Sequence, residues 1–261
     1  MNATTWTPTP LLRRSVGQPA LVDADLVAVV SHELRTPLTS IRGALQLAIQ
    51  DLAGSDPRLL NVALKNCERM VGLVNDLLDL SKMEAGQFRL ARRRVAVREL
   101  VAAAIDSLGP LARVASVALT SEISPGLPRV HVDPDRMIQV LVNLLSNAIK
   151  VAPPESEVTV RGRVVDNRFI ELSVTDRGRG IPGRQLSRLF RKFEQLDRPS
   201  RGEGGTGLGL AISKAIVEQH RGSIGVASRV GVGTTFTVTM PVARTPQAAE
   251  LRATTAAIRI A

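Results

Sequence analysis

Ser31-His32-Glu33-Leu34-Arg35-Thr36-Pro37-Leu38 sets an imidazole, a carboxylate and a hydroxyl close together in a run of helix-favouring residues. On an ideal helix, Leu26, Val30, Leu34, Ile41, Leu45, Ala48 and Leu52 fall on one stripe. His32 falls almost opposite that stripe, so it points at water or at a partner. Thr36 lies one turn on, along the same side. Pro37 lacks an N–H and frees the carbonyl of Glu33, which predicts a bend just past the histidine. A His-Glu pair by itself also fits an ordinary solvated helix face.

Four later clusters carry further chemistry. In Asn143-Leu-Leu-Ser-Asn147-Ala-Ile-Lys150, the apolar stripe is Leu141, Leu144, Leu145 and Ala148. Asn143, Asn147 and Lys150 share the opposite side. Amide oxygens are hard ligands suited to Mg²⁺, and a lysine one turn on can balance phosphate charge. A solvated helix face has the same pattern. Asp176-Arg-Gly178-Arg-Gly180 follows a β-rich run. A carboxylate there can accept from an exocyclic amine such as that of adenine, and the glycines let backbone approach a ligand. A plain turn is the alternative. Leu189-Phe190-Arg-Lys-Phe193-Glu-Gln195 opens a Gly- and Arg-rich loop from Asp197 to Gly205, a candidate lid anchored by two aromatics. Both phenylalanines also suit a core. Gly204-Gly205-Thr206-Gly207-Leu208-Gly209-Leu210 leads into a helix, and its amides suit an anion. No Gly-Lys-Ser/Thr follows, so it is not a Walker A loop. Its late position and surroundings also exclude a dinucleotide fingerprint.

These groups need elements to hold them. Residues 1–21, with Pro8, Pro10, Gly17 and Pro19, read as a flexible leader. A helix is predicted from Val22 to Ala53. Gly54-Ser55-Asp56-Pro57 stops it, with Asp56 as cap and Pro57 in the first position of a second helix. That helix has Leu60, Ala63, Leu64, Cys67, Met70, Val71, Val74, Leu77 and Leu78 spaced by threes and fours, and fades near Gly86. Cys67 on this stripe is expected to be a buried structural thiol. Two amphipathic helices cannot bury both stripes by themselves. A second copy completing a four-helix bundle is favoured over packing on the following domain.

From Gln87 the pattern becomes mixed. Helices are expected at Arg98–Val114, Pro134–Val151 and Thr206–His220. Strands are expected at Val117–Ile123, Arg129–Asp133, Val158–Val165, Phe169–Thr175, Ser223–Ser228 and Thr234–Met240. Asp166-Asn167 makes a hairpin turn. The fold class is therefore multidomain: an all-α helical hairpin followed by an α+β sandwich with one mixed sheet and helices on one face. Residues past Val242 form an Ala/Thr-rich tail.

The net charge is +10, from 34 basic and 24 acidic residues. Scattered arginines, with Arg92-Arg93-Arg94 the one tight run, and the absence of tyrosine argue against nucleic acid as partner. A general attraction to phosphates and acidic partners fits the charge equally well. The single cysteine excludes an intrachain disulfide. The sequence has no apolar run long enough to span a membrane and no secretory signal, so a cytoplasmic location is expected.

The octet around His32 resembles the phosphoacceptor box of the two-component sensor histidine kinases, H-E-L-R-T-P-L. The four later clusters, in order, resemble the N, G1, F and G2 boxes of the histidine-kinase ATP-binding domain, of the Bergerat or GHKL type shared with DNA gyrase and MutL. Gly231-Val-Gly233-Thr-Thr-Phe236 resembles the closing strand motif. The resemblance covers Asp25 to Pro241. Arg221 stands where the family often has glycine, Gln195 replaces a basic residue that some members carry, and the lid looks short.

The resemblance implies an ATP-dependent protein-histidine kinase with ATP and Mg²⁺ as cofactors. Residues 22–86 would be the dimerisation and phosphotransfer domain, 87–243 the ATP-binding domain and 244–261 the tail. Asn143 and Asn147 would hold Mg²⁺, Lys150 would meet phosphate, and Asp176 adenine. Gly178, Gly180, Phe190, Phe193, Gly205, Thr206, Gly207, Leu208 and Gly209 would enclose the nucleotide. His32 would attack the γ-phosphorus, with Glu33 orienting the imidazole or taking its proton. The phosphoryl group would pass to an aspartate on a response regulator receiver domain, and Thr36 would serve regulator dephosphorylation. The homodimer would form through the hairpin. A non-catalytic scaffold or a pure ATPase is the competing class; intact His32, Asn147, Asp176 and glycines oppose the first, and the exposed histidine on its own hairpin the second.

Overall fold

The computed structural model of the chain describes residues 24–50, 57–194 and 206–243. Two long helices come first, α1 at Ala24–Gln50 and α2 at Pro57–Glu84. Pro57 opens α2 as the sequence predicts, since its fixed φ suits a first helical position. Asp56 and the outer ends expected for α1 lie outside the described residues. Pro37 sits inside α1.

The chain divides into two compact units within α2, between Met70 and Val71. Among the described residues of the first unit the buried apolar side chains are small: Pro37, Ala44 and Ala63. Leu38, Leu45, Leu60 and Leu64 are all more than two-fifths exposed. Cys67 is exposed as well, against the expectation of a buried thiol. Leu60, Leu64, Val71 and Val74 of the same stripe are exposed with it, while Ala63 is buried.

The second unit holds the remaining turns of α2 and a mixed α/β layer. Its elements are β1 (Arg93–Val95), α3 (Val97–Val114), β2 (Ala118–Ile123), β3 (Val130–Val132), α4 (Pro134–Val151), β4 (Glu157–Val165), β5 (Phe169–Asp176), a single turn α5 (Gly183–Leu186), α6 (Gly209–Gln219), β6 (Ser223–Arg229) and β7 (Gly233–Pro241). Five strands form one sheet in the order β2-β4-β5-β7-β6. β2 and β4 are parallel, and the other pairs are antiparallel. The sequence expects a single sheet, but β3 leaves it and pairs with β1 in a separate antiparallel ribbon. β1 was not legible in advance: three residues, two of them arginines, are too short to show alternation.

Alternation in the central strands sets the core. Ile170, Leu172, Val174 and Asp176 of β5 are buried, as are Thr234, Phe236, Val238 and Met240 of β7. α3, α4 and α6 cover this face. Asp133 caps α4 by accepting from the Arg136 amide at 3.2 Å, with Pro134 next in line. The β4–β5 hairpin turns at Asp166 and Asn167, both left-handed at φ 51° and 50°, as the Asp-Asn pair predicts. Arg221, where the family often has glycine, also holds a positive φ of 60°. The position is one that glycine fills without strain.

One buried histidine ties α6 to α4. His220 is 3% exposed. Its Nδ1 meets the Ile216 carbonyl at 2.8 Å, and its Nε2 accepts from the Asp133 amide at 2.9 Å. That pattern needs the neutral ring protonated on Nδ1. Burial pushes the pKa of this imidazole down, helped by the nearby Arg92 charge and opposed by the Ile216 bond and by Asp133.

Candidate nucleotide site

A cavity of about 670 Å³ opens between α4, the ends of β5 and β7, and the start of α6. Asn143, Asn147 and Lys150 line it from α4, and Asp176 from the end of β5. Gly180, Thr206, Gly207 and Gly209 line it from the flanking loops and the first residue of α6. The structure thus brings together side chains that lie as far apart as 143 and 209 in the sequence. A larger hollow of about 810 Å³ lies over β2, β4, β5 and β7. Its Arg161 and Arg163 are paired with Glu122 and Glu171, so it offers hydroxyls and neutralised charges and lacks the amide and glycine groups of the first cavity.

Alternation along β5 places Asp176 at a core-facing position, where a carboxylate is costly without partners. Its Oδ1 accepts from the Gly178 amide at 2.8 Å and the Thr234 amide at 3.3 Å. Burial pushes its pKa up, and those two amides oppose the shift. Both amides meet Oδ1, so Oδ2 suits an amine from a ligand. Gly180 has φ of 71°, and a Cβ there would collide with the Arg229 carbonyl. Only glycine lets this loop close against β6.

The α4 face forms an amide relay. Asn143 Nδ2 donates to Ser213 Oγ at 2.9 Å, and Asn147 Nδ2 donates to Asn143 Oδ1 at 3.4 Å. The relay holds both amides in one orientation and leaves Asn147 Oδ1 the freer oxygen. Two neutral amide oxygens beside a phosphate-sized cavity fit Mg²⁺, which keeps several waters and takes few protein ligands. Among the described residues no group of three His, Cys, Asp or Glu side chains offers a metal cage. Ser213 is a positioning residue that the sequence did not single out; it is 2% exposed, and a serine on the inner side of a helix is the signal.

The loop before α6 is tightly built. Gly207, at φ 70°, accepts through its carbonyl from the Phe193 amide at 3.0 Å. A Cβ on Gly207 would sit 2.7 Å from Phe193 backbone. A Cβ on Gly209 would sit 2.5 Å from Asn143 Oδ1. α6 begins at Gly209, later than the expected Thr206, because these glycines serve as loop. Phe190 and Phe193 are half-buried against the core, and Leu208 is fully buried. Gly178 reaches the site through its bond to Asp176. Gly205 and most of the expected lid lie outside the described residues.

Two acids complete the lining, Asp76 of α2 and Glu194, together with Arg179. Thr206 Oγ1 donates to Asp76 Oδ2 at 3.2 Å and accepts from the Leu208 amide at 3.1 Å. Burial pushes the Asp76 carboxyl up; the Thr206 bond lowers it and the neighbouring Asp79 raises it further. Glu194 is paired with Arg188. In the first unit, His32 and Glu33 lie in α1, but their side chains are outside the described set. Thr36 is exposed.

Comparison with known proteins finds two family models on the chain. Residues 23–86 match the His Kinase A (phospho-acceptor) domain family. Residues 132–244 match the family of histidine kinase-, DNA gyrase B- and HSP90-like ATPases. The circadian input-output histidine kinase CikA of Synechococcus elongatus is 40% identical over 83% of this chain and 30% of its own length. The sensor histidine kinase WalK of Bacillus subtilis is 37% identical over 83% of this chain and 36% of its own. The chain spans about a third of the length of such curated relatives. Among solved structures, the Acinetobacter baumannii histidine kinase AdeS aligns with a TM-score of 0.67 at 28% identity, over 82% of this chain and 98% of that one. Full-length ShkA in complex with AMPPNP aligns at 0.65 and 27% identity, over 85% of this chain and 47% of that one.

Proposed function

The chain belongs to the two-component sensor histidine kinases, and on that premise we propose that it phosphorylates His32 from ATP and passes the phosphoryl group to an aspartate of a response regulator. The observation that carries this reading is the single cavity shared by Asn143, Asn147, Lys150, Asp176 and the glycine loop. In it Asp176 takes the adenine amine, and the amides around Gly207 and Gly209 with Lys150 take the phosphates. Phe190, Phe193, Gly178, Gly180 and Leu208 shape the enclosure, and Gly205 would add its amide. Asn143 and Asn147 would hold Mg²⁺, which spreads the charge of the transferring phosphoryl group when bound.

At the acceptor, a neutral imidazole nitrogen of His32 forms the new N–P bond as the γ-phosphorus separates from the bridging oxygen of ADP. Glu33 orients the ring or takes its proton. Thr36 is exposed one turn further along α1, and its hydroxyl suits the holding of an in-line water for regulator dephosphorylation. Two copies of residues 22–86 would pair as a four-helix bundle, with 87–243 as the ATP-binding domain, 1–21 as leader and 244–261 as tail. Among the described residues no helix is long and apolar enough to cross a membrane. A cytoplasmic location belongs to the same proposal.

The test uses γ-labelled ATP and the whole chain. His32→Gln should lose all acid-labile, base-stable label and keep nucleotide affinity. Acid-labile label on that variant would place the acceptor elsewhere. Thr36→Ala should label and transfer normally, while removing phosphate from the regulator more slowly by about tenfold. Equal loss of both activities would assign Thr36 to helix shape alone.

A further inference from the structure

The nucleotide cavity contains one wall that the expected phosphate and adenine groups do not explain. Asp76, on the second half of α2, lines it beside Asn143 and Asn147. The carboxylate is held there. One turn later, Asp79 is 7% exposed and accepts from Arg136 Nη1 at 2.6 Å and Gln139 Nε2 at 3.3 Å, both on α4. The Arg136 guanidinium lies 4.7 Å over the Phe88 ring. An ion pair on one side and an aromatic on the other leave α2 little freedom to withdraw Asp76.

Its partner is as informative as its place. Asp76 Oδ2 accepts from Thr206 Oγ1, which accepts in turn from the Leu208 amide just before α6. The carboxylate therefore stands one hydroxyl away from the amides where a helix start receives phosphate oxygens. The charges of the lining sharpen the point. Asp76, Asp176 and Glu194 are acids, and Lys150 and Arg179 are cations. Arg188 offsets Glu194, so Asp76 and Asp176 are the carboxylates that face a metal-free ATP, which is a tetra-anion. A divalent cation on the phosphates halves that charge.

We propose that Asp76 is a specificity-determining residue of the nucleotide site: its carboxylate rejects metal-free ATP and admits the magnesium complex. This rests on the reading of the cavity as the ATP site. Asp76 needs no contact with the metal for this role. The carboxylate acts at a distance through the half-buried cavity, where a unit charge several ångströms away changes affinity about tenfold. A helix-docking role for the Asp76–Thr206 bond would have no such dependence on metal.

The experiment titrates ATP into the whole chain by calorimetry, once with excess Mg²⁺ and once with EDTA. Wild type, Asp76→Asn and Asp76→Glu are compared. Asparagine keeps the shape and the acceptor for Thr206 and removes the charge. It should raise affinity for metal-free ATP about tenfold and for Mg·ATP, with half the charge, about threefold, so the preference for the complex shrinks about threefold. Glutamate should restore the preference. An Asp76→Asn chain with the wild-type preference overturns the inference, as does one whose affinity changes equally in both buffers. A wild-type chain that binds ATP in neither buffer overturns the ATP reading itself, and this inference with it.

Discussion

The two units of this chain solve the burial problem in opposite ways. The second closes a core from its own strands and helices, with Leu144, Val158, Ile170, Ile216 and Val238 all fully buried. The first leaves Leu38, Leu45, Leu60 and Leu64 exposed, and the apolar residues it buries among those described are Pro37, Ala44 and Ala63. Fully burying one leucine contributes about 1.5–3 kcal/mol, so the first unit forgoes several such contributions while it stays single. A unit that finishes its core alone can carry a site made of fixed side chains. One that does not suits the proposed completion by a second copy.

The comparison breaks most sharply at Asn147. Asn147→Ala removes the amide oxygen proposed for Mg²⁺ and the amide bond to Asn143. Autophosphorylation should fall about a hundredfold or more while the dimer persists, measured by label uptake and light scattering. Retained activity would mean that the α4 amides do not serve the metal. The converse change is Leu64→Glu. A charge on the exposed stripe should convert dimer to monomer and suppress label uptake, yet leave ATP affinity within about twofold. A dimer that survives would locate the interface elsewhere.

The smallest effect tests the interior of the second unit. His220 has its pKa held below 6.5 by burial. As the pH falls below that value, the unfolded chain takes up a proton that the folded chain refuses. Stability is therefore full above the unfolded pKa and is lost as the pH descends toward the folded one, by no more than about 1.4 kcal/mol per pH unit. His220→Gln should flatten this slope between about pH 7.5 and 5.5 in denaturant titrations and cost about 1–3 kcal/mol at neutral pH from the buried bonds. An unchanged slope would mean that His220 is not the group responsible. Asp76 and Asp176, whose pKa values are raised carboxylates, contribute with the opposite sign and at lower pH.

Local chemistry is what the sequence by itself determined. Alternation in 169–175 and threefold-fourfold spacing in 134–151 fixed the main elements to within a residue or two, because a single buried face imposes its period on the chain. Asn143, Asn147, Lys150, Asp176 and the glycines were readable as candidates because amides, a strand-end acid and unhindered backbone have few other joint uses. Tertiary structure alone decided what these residues meet. It set Ser213 behind Asn143, placed His220 between α4 and α6, split β3 from the main sheet, and brought Asp76 from α2 to the start of α6 across 130 positions. None of these contacts leaves a period or a spacing in the sequence. Each joins residues whose nearness depends on how helices pack against a twisted sheet, and Cys67 shows the reverse limit: the period marks an apolar stripe, but only the fold says whether anything in the chain covers it.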